Sequence, residues 1–456
     1  MKGVRRFRAL VLGAVLVIPG CTAVPELADV TRAVAPGAPG LGAARVASDL
    51  ARTEYGVAVQ RAALANPDLT LGGAGIREAL ANKRAAEGVL KPEVSVGADA
   101  EARSIDGDSF SDASPFVRVS QLIYDAGAAR ADTVSADARV AESRGRQLDL
   151  ASAATLEAVE THYNLLSRRD LLRVAEDNLR VLRELAAQIE ERVRRGAGTR
   201  ADALTARSRV ADAETRLADA QANLDRAEAR YRRLFGTVPA RLPVPRKAPP
   251  LPSDEAEVVR LSPRIRAADA AVKAAEADLS AARARRLPAM ELAATGREAN
   301  GGGLDAGLDV SLTYSLDTSG ELRAAIDAAT ARLDQVAADR AQLARDVREA
   351  LAFVRSDQVA GQARLEAASA ASAANAEAVR AARAQFSVGR RNMIDLLDAQ
   401  RDFVRSEEVL IVARQDRFLT DYAALALTGD ILDAFAVPLD IVDGGKVIVA
   451  AAESSE

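Results

Sequence analysis

The sequence predicts a mainly α-helical chain with a small transmembrane β part, built from tandem-duplicated long antiparallel helical hairpins plus four β-strands. Three observations carry this reading. First, the chain repeats itself: Asn66-Pro67 answers Ser262-Pro263 and Leu90-Lys91-Pro92 answers Arg286-Leu287-Pro288 at an offset of 196. Further on the offset is 193, pairing Gly127 with Gly320, Gly196 with Gly389, Asp202-Ala203-Leu204 with Asp395-Leu396-Leu397, and Gly236 with Gly429. Second, no Pro falls between Gly127 and Gly196 or between Gly320 and Gly389. Each stretch therefore admits a helix of nearly 70 residues, roughly 100 Å at 1.5 Å per residue. Third, Leu308, Val310, Leu312 and Tyr314 alternate with Asp309, Ser311, Thr313 and Ser315, and Val94, Val96 and Ala98 alternate with Ser95, Gly97 and Asp99. Met290, Leu292 and Ala294 repeat the pattern, which is that of strands with one oily and one wet face.

The elements follow in order. Residues 1–20 read as a signal peptide, with Lys2, Arg5, Arg6 and Arg8 preceding the apolar run Ala9 to Ile18, which is too short to span a bilayer. Ile18-Pro19-Gly20-Cys21 resembles a bacterial lipobox, so Cys21, the only Cys in the chain, is expected to be lipidated. Thr22 rather than Asp follows it, which points to the outer membrane. Residues 21–55 then form a lipidated N-terminal extension, residues 56–240 the first repeat, the Pro-rich residues 241–253 a linker, residues 254–432 the second repeat and residues 433–456 a C-terminal tail. Within the first long helix, Leu156, Val159, Tyr163 and Leu166, and later Leu182, Ala186, Ile189 and Val193, step by three and four, a mean of 3.5 that predicts left-handed coiled-coil packing. The return helix is expected from about Arg200 to Phe235, and a shorter one after the linker from about Ser262 to Leu287. Laid end to end, these nearly match the long partner, so all four strands should emerge at one end.

Composition excludes several function classes. Nine Phe, six Tyr and no Trp cannot fill thick globular cores, whereas Ala-rich helices pack closely side by side. With 61 basic against 65 acidic residues there is no field to attract nucleic acid, and none is expected as a partner. One His and one Cys cannot build a zinc site or a Cys/His dyad, and there is no Gly-rich phosphate loop, so no catalysis, metal or cofactor is expected. His162, in AVETHYNLL, reads as a helix-surface residue.

Four strands cannot close a membrane barrel, and open edges are not tolerated in lipid. Two chains would supply eight strands around a filled lumen; three would supply twelve and leave a pore.

At the second tip the run Phe386-Ser387-Val388-Gly389-Arg390-Arg391-Asn392-Met393-Ile394-Asp395-Leu396-Leu397-Asp398-Ala399-Gln400 resembles the turn and gate of the TolC-type outer membrane factors. Asn66-Pro67, Leu90-Lys91-Pro92, Ser120-Gln121-Leu122 and Leu427-Thr428-Gly429 also match, and the resemblance runs from about Arg52 to Leu432. It implies a homotrimer forming a 12-stranded β-barrel continued by a periplasmic α-helical tunnel. The expected function is passive export across the outer membrane of a Gram-negative bacterium, in a tripartite efflux or type I secretion system. Its partners would be a periplasmic adaptor (membrane fusion) protein, an inner-membrane pump or ABC transporter, and outer membrane lipid.

The resemblance also assigns residues. Asp395 and Asp398 would line a narrow entrance, where three copies make a cation-binding ring. Arg391 would bridge neighbouring helices at the closed tip, Asp202 and Phe386 would complete the gate, and Gly196, Val388 and Gly389 would form adaptor-docking tips. A simpler role competes for the acids: Asn392 is a candidate N-cap with Asp395 at its third position, and Thr199 with Asp202 repeats that pattern. The sequence departs from the family pattern at Ala201, where a hydroxyl is usual, and at Phe386, where Tyr is common. Aromatic girdle candidates near the strands are Phe110, Phe116, Tyr124 and Tyr314. A lipid-anchored coiled-coil scaffold would explain the helices but not four matched alternating strands. A periplasmic adaptor has a helical hairpin but also flanking β-rich domains, which this sequence lacks.

Overall fold

The computed structural model describes residues 24–34, 49–105, 108–250, 254–299, 303–438, 441–443 and 446–448. The signal segment, Cys21 and the end of the C-terminal tail lie outside the described residues. In chain order the elements are α1 (Ala28–Ala33), a 3₁₀ turn at Asp49–Arg52, α2 (Glu54–Leu64), α3 (Pro67–Gly88), β1 (Glu93–Ile105), β2 (Asp108–Tyr124), α4 (Ala128–Arg194) and α5 (Arg200–Phe235). The second half brings α6 (Glu255–Leu261), α7 (Pro263–Ala284), β3 (Ala289–Ala299), β4 (Gly303–Thr313), α8 (Glu321–Ser387), α9 (Met393–Thr428), α10 (Asp430–Ala434) and a short ribbon of β5 (Ile441–Asp443) with β6 (Lys446–Ile448). Helices α4 and α8 are both 67 residues long, and α5 and α9 both 36. The duplication read from scattered Gly and Pro positions is thus a duplication of elements, with matched lengths in the paired helices while the first hairpin's strands, 13 and 17 residues, are longer than the second's, 11 each.

The long helices start alike. Asp125 accepts from the N–H of Gly127 (2.9 Å) and of Ala129 (2.6 Å), and Asp317 accepts from those of Leu322 (3.2 Å) and Arg323 (3.0 Å), each carboxylate satisfying orphan donors of a helix start. α3 and α7 open on Pro67 and Pro263, where the missing N–H costs nothing.

The chain divides into two compact units. The first comprises residues 24–34, 74–144 and 266–342. Its centre is one antiparallel sheet in the order β1-β2-β3-β4, in which the two hairpins join through β2 and β3. Direct partners share a face, so Val94, Val119, Ala294 and Leu308 form an apolar row across all four strands, and Ser95, Arg118, Thr295 and Gly307 form the adjacent row on the other face. Below the strands Tyr124 packs on Ala126, Ala128 and Ala284. Val30 and Val34 pack on Ala141 and Ala270, and Arg266 donates to the Ala33 carbonyl at 3.0 Å.

The second unit comprises residues 49–73, 145–265 and 343–448. One core gathers Tyr55 and Val59 of α2, Ala158 and Val159 of α4, Tyr422 and Leu425 of α9, and Ile431 and Phe435. A second, near the helix tips, joins Leu182, Ala186 and Ile189 of α4 to Ala206, Phe386, Met393, Leu396 and Leu397. The predicted 3-4 seam thus holds near the tip. Midway along α4 it does not suffice: Ala151, Ala154, Ala158, His162 and Leu165 are buried alongside Val159, because that stretch is packed on more than one side. His162 is therefore fully buried, not on the helix surface, and this corrects the expectation drawn from its polarity.

Candidate functional site

Two features carry functional geometry: the paired helical tips of the second unit and the sheet of the first. At the first tip α4 ends in a Schellman turn. Gly196 adopts φ +77°, its N–H donates to Val193 (3.0 Å), and the Ala197 N–H reaches back to the Arg192 carbonyl (2.9 Å). The second tip repeats this at Gly389 (φ +76°), with Arg390 N–H to the Gln385 carbonyl at 2.9 Å. Only a residue free of a Cβ enters this left-handed region without strain, which is why both predicted tip glycines stand where they do.

The return helices are capped at matched positions. Thr199 accepts from the Asp202 N–H (3.2 Å) while the Asp202 carboxylate accepts from the Thr199 N–H (2.9 Å), a reciprocal capping box. These bonds hold the Asp202 carboxyl below its ordinary range. At the second tip Asn392 accepts from the Asp395 N–H at 2.7 Å, but the Asp395 carboxylate turns to Arg391 Nε, 3.7 Å away. Asp202 and Asp395 thus sit at the same helical position with different partners.

Asp398 lies one turn further on, past the orphan N–H groups, and its partners are Arg401 at 3.1 Å and Arg209 of α5 at 4.0 Å. Helix capping does not account for it. Arg401 also donates to Asp402, so the carboxylates Asp395, Asp398 and Asp402 are paired with Arg391 and Arg401 of the second tip and with Arg209 of α5. Arg209 had no sequence signal, since its proximity depends on how α5 packs beside α9. Arg401 had one, the i, i+3 spacing from Asp398.

Phe386 is buried among Ile189, Ala206 and Met393, with the Arg192 guanidinium 4.9 Å from its ring centroid and 3.5 Å from its carbonyl oxygen. It acts as packing beneath the tip. Val388 is 68% exposed at the apex. Arg194 and Arg195 both pair with Glu191 in the last turn of α4, where cationic side chains complement the helix dipole.

In the sheet, Leu308 is 75% exposed and Val94 64%, so the apolar row is left uncovered by the described residues. The opposite face carries Asp99, Arg118, Glu291 and Arg297, with Arg118 3.8 Å from Glu291 and Arg297 3.3 Å from Asp99 across strands. Phe116 pairs with Gly97 and lies on this polar face, its ring where a Gly97 side chain would stand. It therefore does not mark a girdle on the apolar side, whereas Tyr124, shifted by a bulge opposite Met290, returns to that side. Among the described residues no cluster suits a metal ion, and no helix is long and apolar enough to cross a membrane.

Comparison with known proteins gives the same picture. The chain is 25% identical over 324 residues to the outer membrane efflux protein BepC of Brucella suis biovar 1 (strain 1330), covering 69% of this chain and 71% of that one. The solved structure of the outer-membrane channel OprN superposes with a TM-score of 0.75 at 24% identity, covering 82% of this chain and 89% of that one. VceC of Vibrio cholerae does so with a TM-score of 0.73 at 18% identity, covering 82% and 96%. The model of one family, described as outer membrane efflux protein, matches residues 38–237 and 257–428. That match takes in both repeats and most of the chain, which belongs to the outer membrane efflux protein family.

Proposed function

We propose that three copies of this chain assemble into the outer-membrane conduit of a tripartite export system and pass substrates through it without chemistry. The observation that carries this is the open four-stranded sheet, whose apolar face is exposed and whose outer strands β1 and β4 have no strand partner among the described residues. In lipid such edges must pair, and three copies close twelve strands around a lumen lined by the polar face. The outer membrane is the location proper to this family. Cys21, following a cleaved segment of residues 1–20, adds a lipid anchor.

Beneath the barrel the long helices form the periplasmic passage. The tips at Gly196, Val388 and Gly389 meet a periplasmic adaptor (membrane fusion) protein, which couples the conduit to an inner-membrane pump or ABC transporter. At the entrance Asp395, Asp398, Arg391 and Asp202 set the charge, with Phe386 packing beneath them. Purified protein in planar bilayers should show discrete conductance steps, and its mass in detergent should be that of a trimer. A monomer that leaves the bilayer sealed would refute this reading.

A further inference from the structure

Along the seam where α9 meets α4 and α8, Met393, Leu396 and Leu397 are buried on the tip side of Gln400, and Val404, Leu410 and Ile411 beyond it. At the level between them two amides stand where apolar side chains would pack. Gln400 is 4% exposed and Asn178 of α4 8%, and Gln400 Nε2 donates to Asn178 Oδ1 at 3.3 Å. That bond leaves Gln400 Oε1 and Asn178 Nδ2 without a hydrogen-bond partner among the described residues. Buried amide groups are costly to leave so unless something else meets them. Beside this pair the three helices enclose a cavity of about 510 Å³, within the roughly 300 to 1,000 Å³ of small-molecule sites.

The floor of the cavity is apolar: Val174 and Val181 of α4, Val379 of α8, and Phe403 and Val404 of α9. Its wall carries four guanidinium groups, three of them already matched. Arg173 donates to Asp170 at 3.0 Å, Arg180 to Asp177 at 2.9 Å, and Arg380 to Glu377. The fourth, Arg383, has no ion-pair or hydrogen-bond partner among the described residues. Of the two lining carboxylates, Asp177 is held by Arg180, and Glu407 accepts from the Ser372 hydroxyl. Ser372 lies eleven residues before Arg383 on α8, about 16 Å along the axis. Gln400 lies seven residues from Glu407 on the antiparallel α9, about 10 Å towards the tip. The unmatched cation and the second acid therefore stand at opposite ends of the cavity, with the amides between them.

We propose that this cavity binds an amphiphilic monoanion, a compound with an aromatic or aliphatic body and one carboxylate or sulfonate. The anionic head pairs with Arg383, whose planar fork suits such oxygens and is engaged by nothing else. The body covers the valines and Phe403, and a polar atom along it meets the Gln400–Asn178 pair. A cation is disfavoured by the four guanidinium groups around the mouth, and a neutral compound of the same shape gains the floor but not the head contact. Water alone would satisfy the amides while leaving the apolar floor wet. Because α4 belongs to the first repeat and α8 and α9 to the second, an occupant also ties one repeat to the other. The site lies within a single chain, so it stands or falls independently of the conduit.

The chain contains no Trp, so Phe403→Trp places a single indole in the cavity wall. In the full-length protein in dodecyl maltoside, 5-(dimethylamino)naphthalene-1-sulfonate should quench that emission saturably by energy transfer. Half-saturation should come at a concentration roughly tenfold lower than for the neutral sulfonamide of the same ring system. Empty micelles and the Trp-free parent set the partition baseline. Arg383→Gln, a change at an exposed side chain, should reduce that preference to less than about twofold while leaving Tm unchanged. Equal affinity for sulfonate and sulfonamide, or a preference that survives Arg383→Gln, overturns the proposal. So does emission that neither probe nor acrylamide reaches, since a second copy then fills the cavity. Should Phe403→Trp crowd the site, the unmodified chain decides. The sulfonate should raise its Tm, the sulfonamide should not, and Arg383→Gln should abolish the rise. No rise in the parent refutes the site.

Discussion

Asp398 and Arg209, on the two helices that return from the tips, bring a carboxylate and a guanidinium to 4.0 Å, and Arg401 meets the same carboxylate at 3.1 Å. These partners are about half exposed, so each pair contributes at most roughly 1 kcal/mol. Asp398→Asn should therefore alter charge at the tip far more than stability. In a trimer it removes three negative charges at once, and block of conductance by multivalent cations should weaken. Unchanged block together with a lowered Tm would make Asp398 a structural acid only.

Arg391 pairs with Asp395 within its own turn. Arg391→Ser leaves that acid bare at the tip and removes a bulky cation; if the tip forms the entrance, as proposed, single-channel conductance to cations should rise while trimer yield stays unchanged. A drop in trimer yield would assign Arg391 to assembly instead.

The caps give a paired comparison. Thr199→Ala and Asn392→Ala each remove an acceptor for a helix-start N–H and should destabilise their tips by about 1 kcal/mol. Hydrogen exchange at residues 199–203 and 392–396 reads this locally. The Asp202 carboxyl sits below its ordinary value, so its contribution is present above that value and is lost as pH falls through the folded one. Exchange at the first tip should accordingly accelerate below about pH 4, and Asp202→Asn should remove the acceleration.

Strand register predicts opposite outcomes for neighbours. Val310 pairs with Leu292 on the apolar face, whereas Ser311 pairs with Glu291 on the polar one. Val310→Arg should impair insertion at a cost of roughly 2 to 4 kcal/mol at mid-bilayer, and Ser311→Arg should be tolerated. Equal yields in outer-membrane fractions would refute the assignment of faces.

Cys21→Ser should abolish incorporation of labelled palmitate while leaving trimers able to form, because the strands are themselves an anchor. Absence of label from the parent protein would dismiss the lipobox.

Much of this fold is legible in the sequence because it is written in punctuation. Gly127, Gly196, Gly320 and Gly389 bound the long helices, and period-2 alternation marks β3 and β4, with Leu308, Val310 and Leu312 on one face as read, although β4 ends at Thr313 and leaves Tyr314 and Ser315 beyond the strand. Helix-start chemistry at Thr199 and Asn392 was equally readable, being local in the chain. Contacts between distant helices were not. Nothing near Asp398 in sequence announces Arg209, and the polarity of His162 concealed its burial because the residues enclosing it come from α2, α5 and the linker. Phe116 deceived for a related reason: its place opposite Gly97 is a matter of register, which a single strand does not reveal.

The equal lengths of α4 and α8, and of α5 and α9, constrain how such a chain can change over generations. One inserted residue rotates everything beyond it by about 100° and turns the seam of Leu182, Ala186 and Ile189 away from its partners. An inserted heptad preserves facing but offsets one tip from the other by about 10 Å unless its counterpart lengthens too. Viable length variants should therefore differ by sevens and in matched pairs, so that the two repeats inherit insertions together although their side chains have diverged.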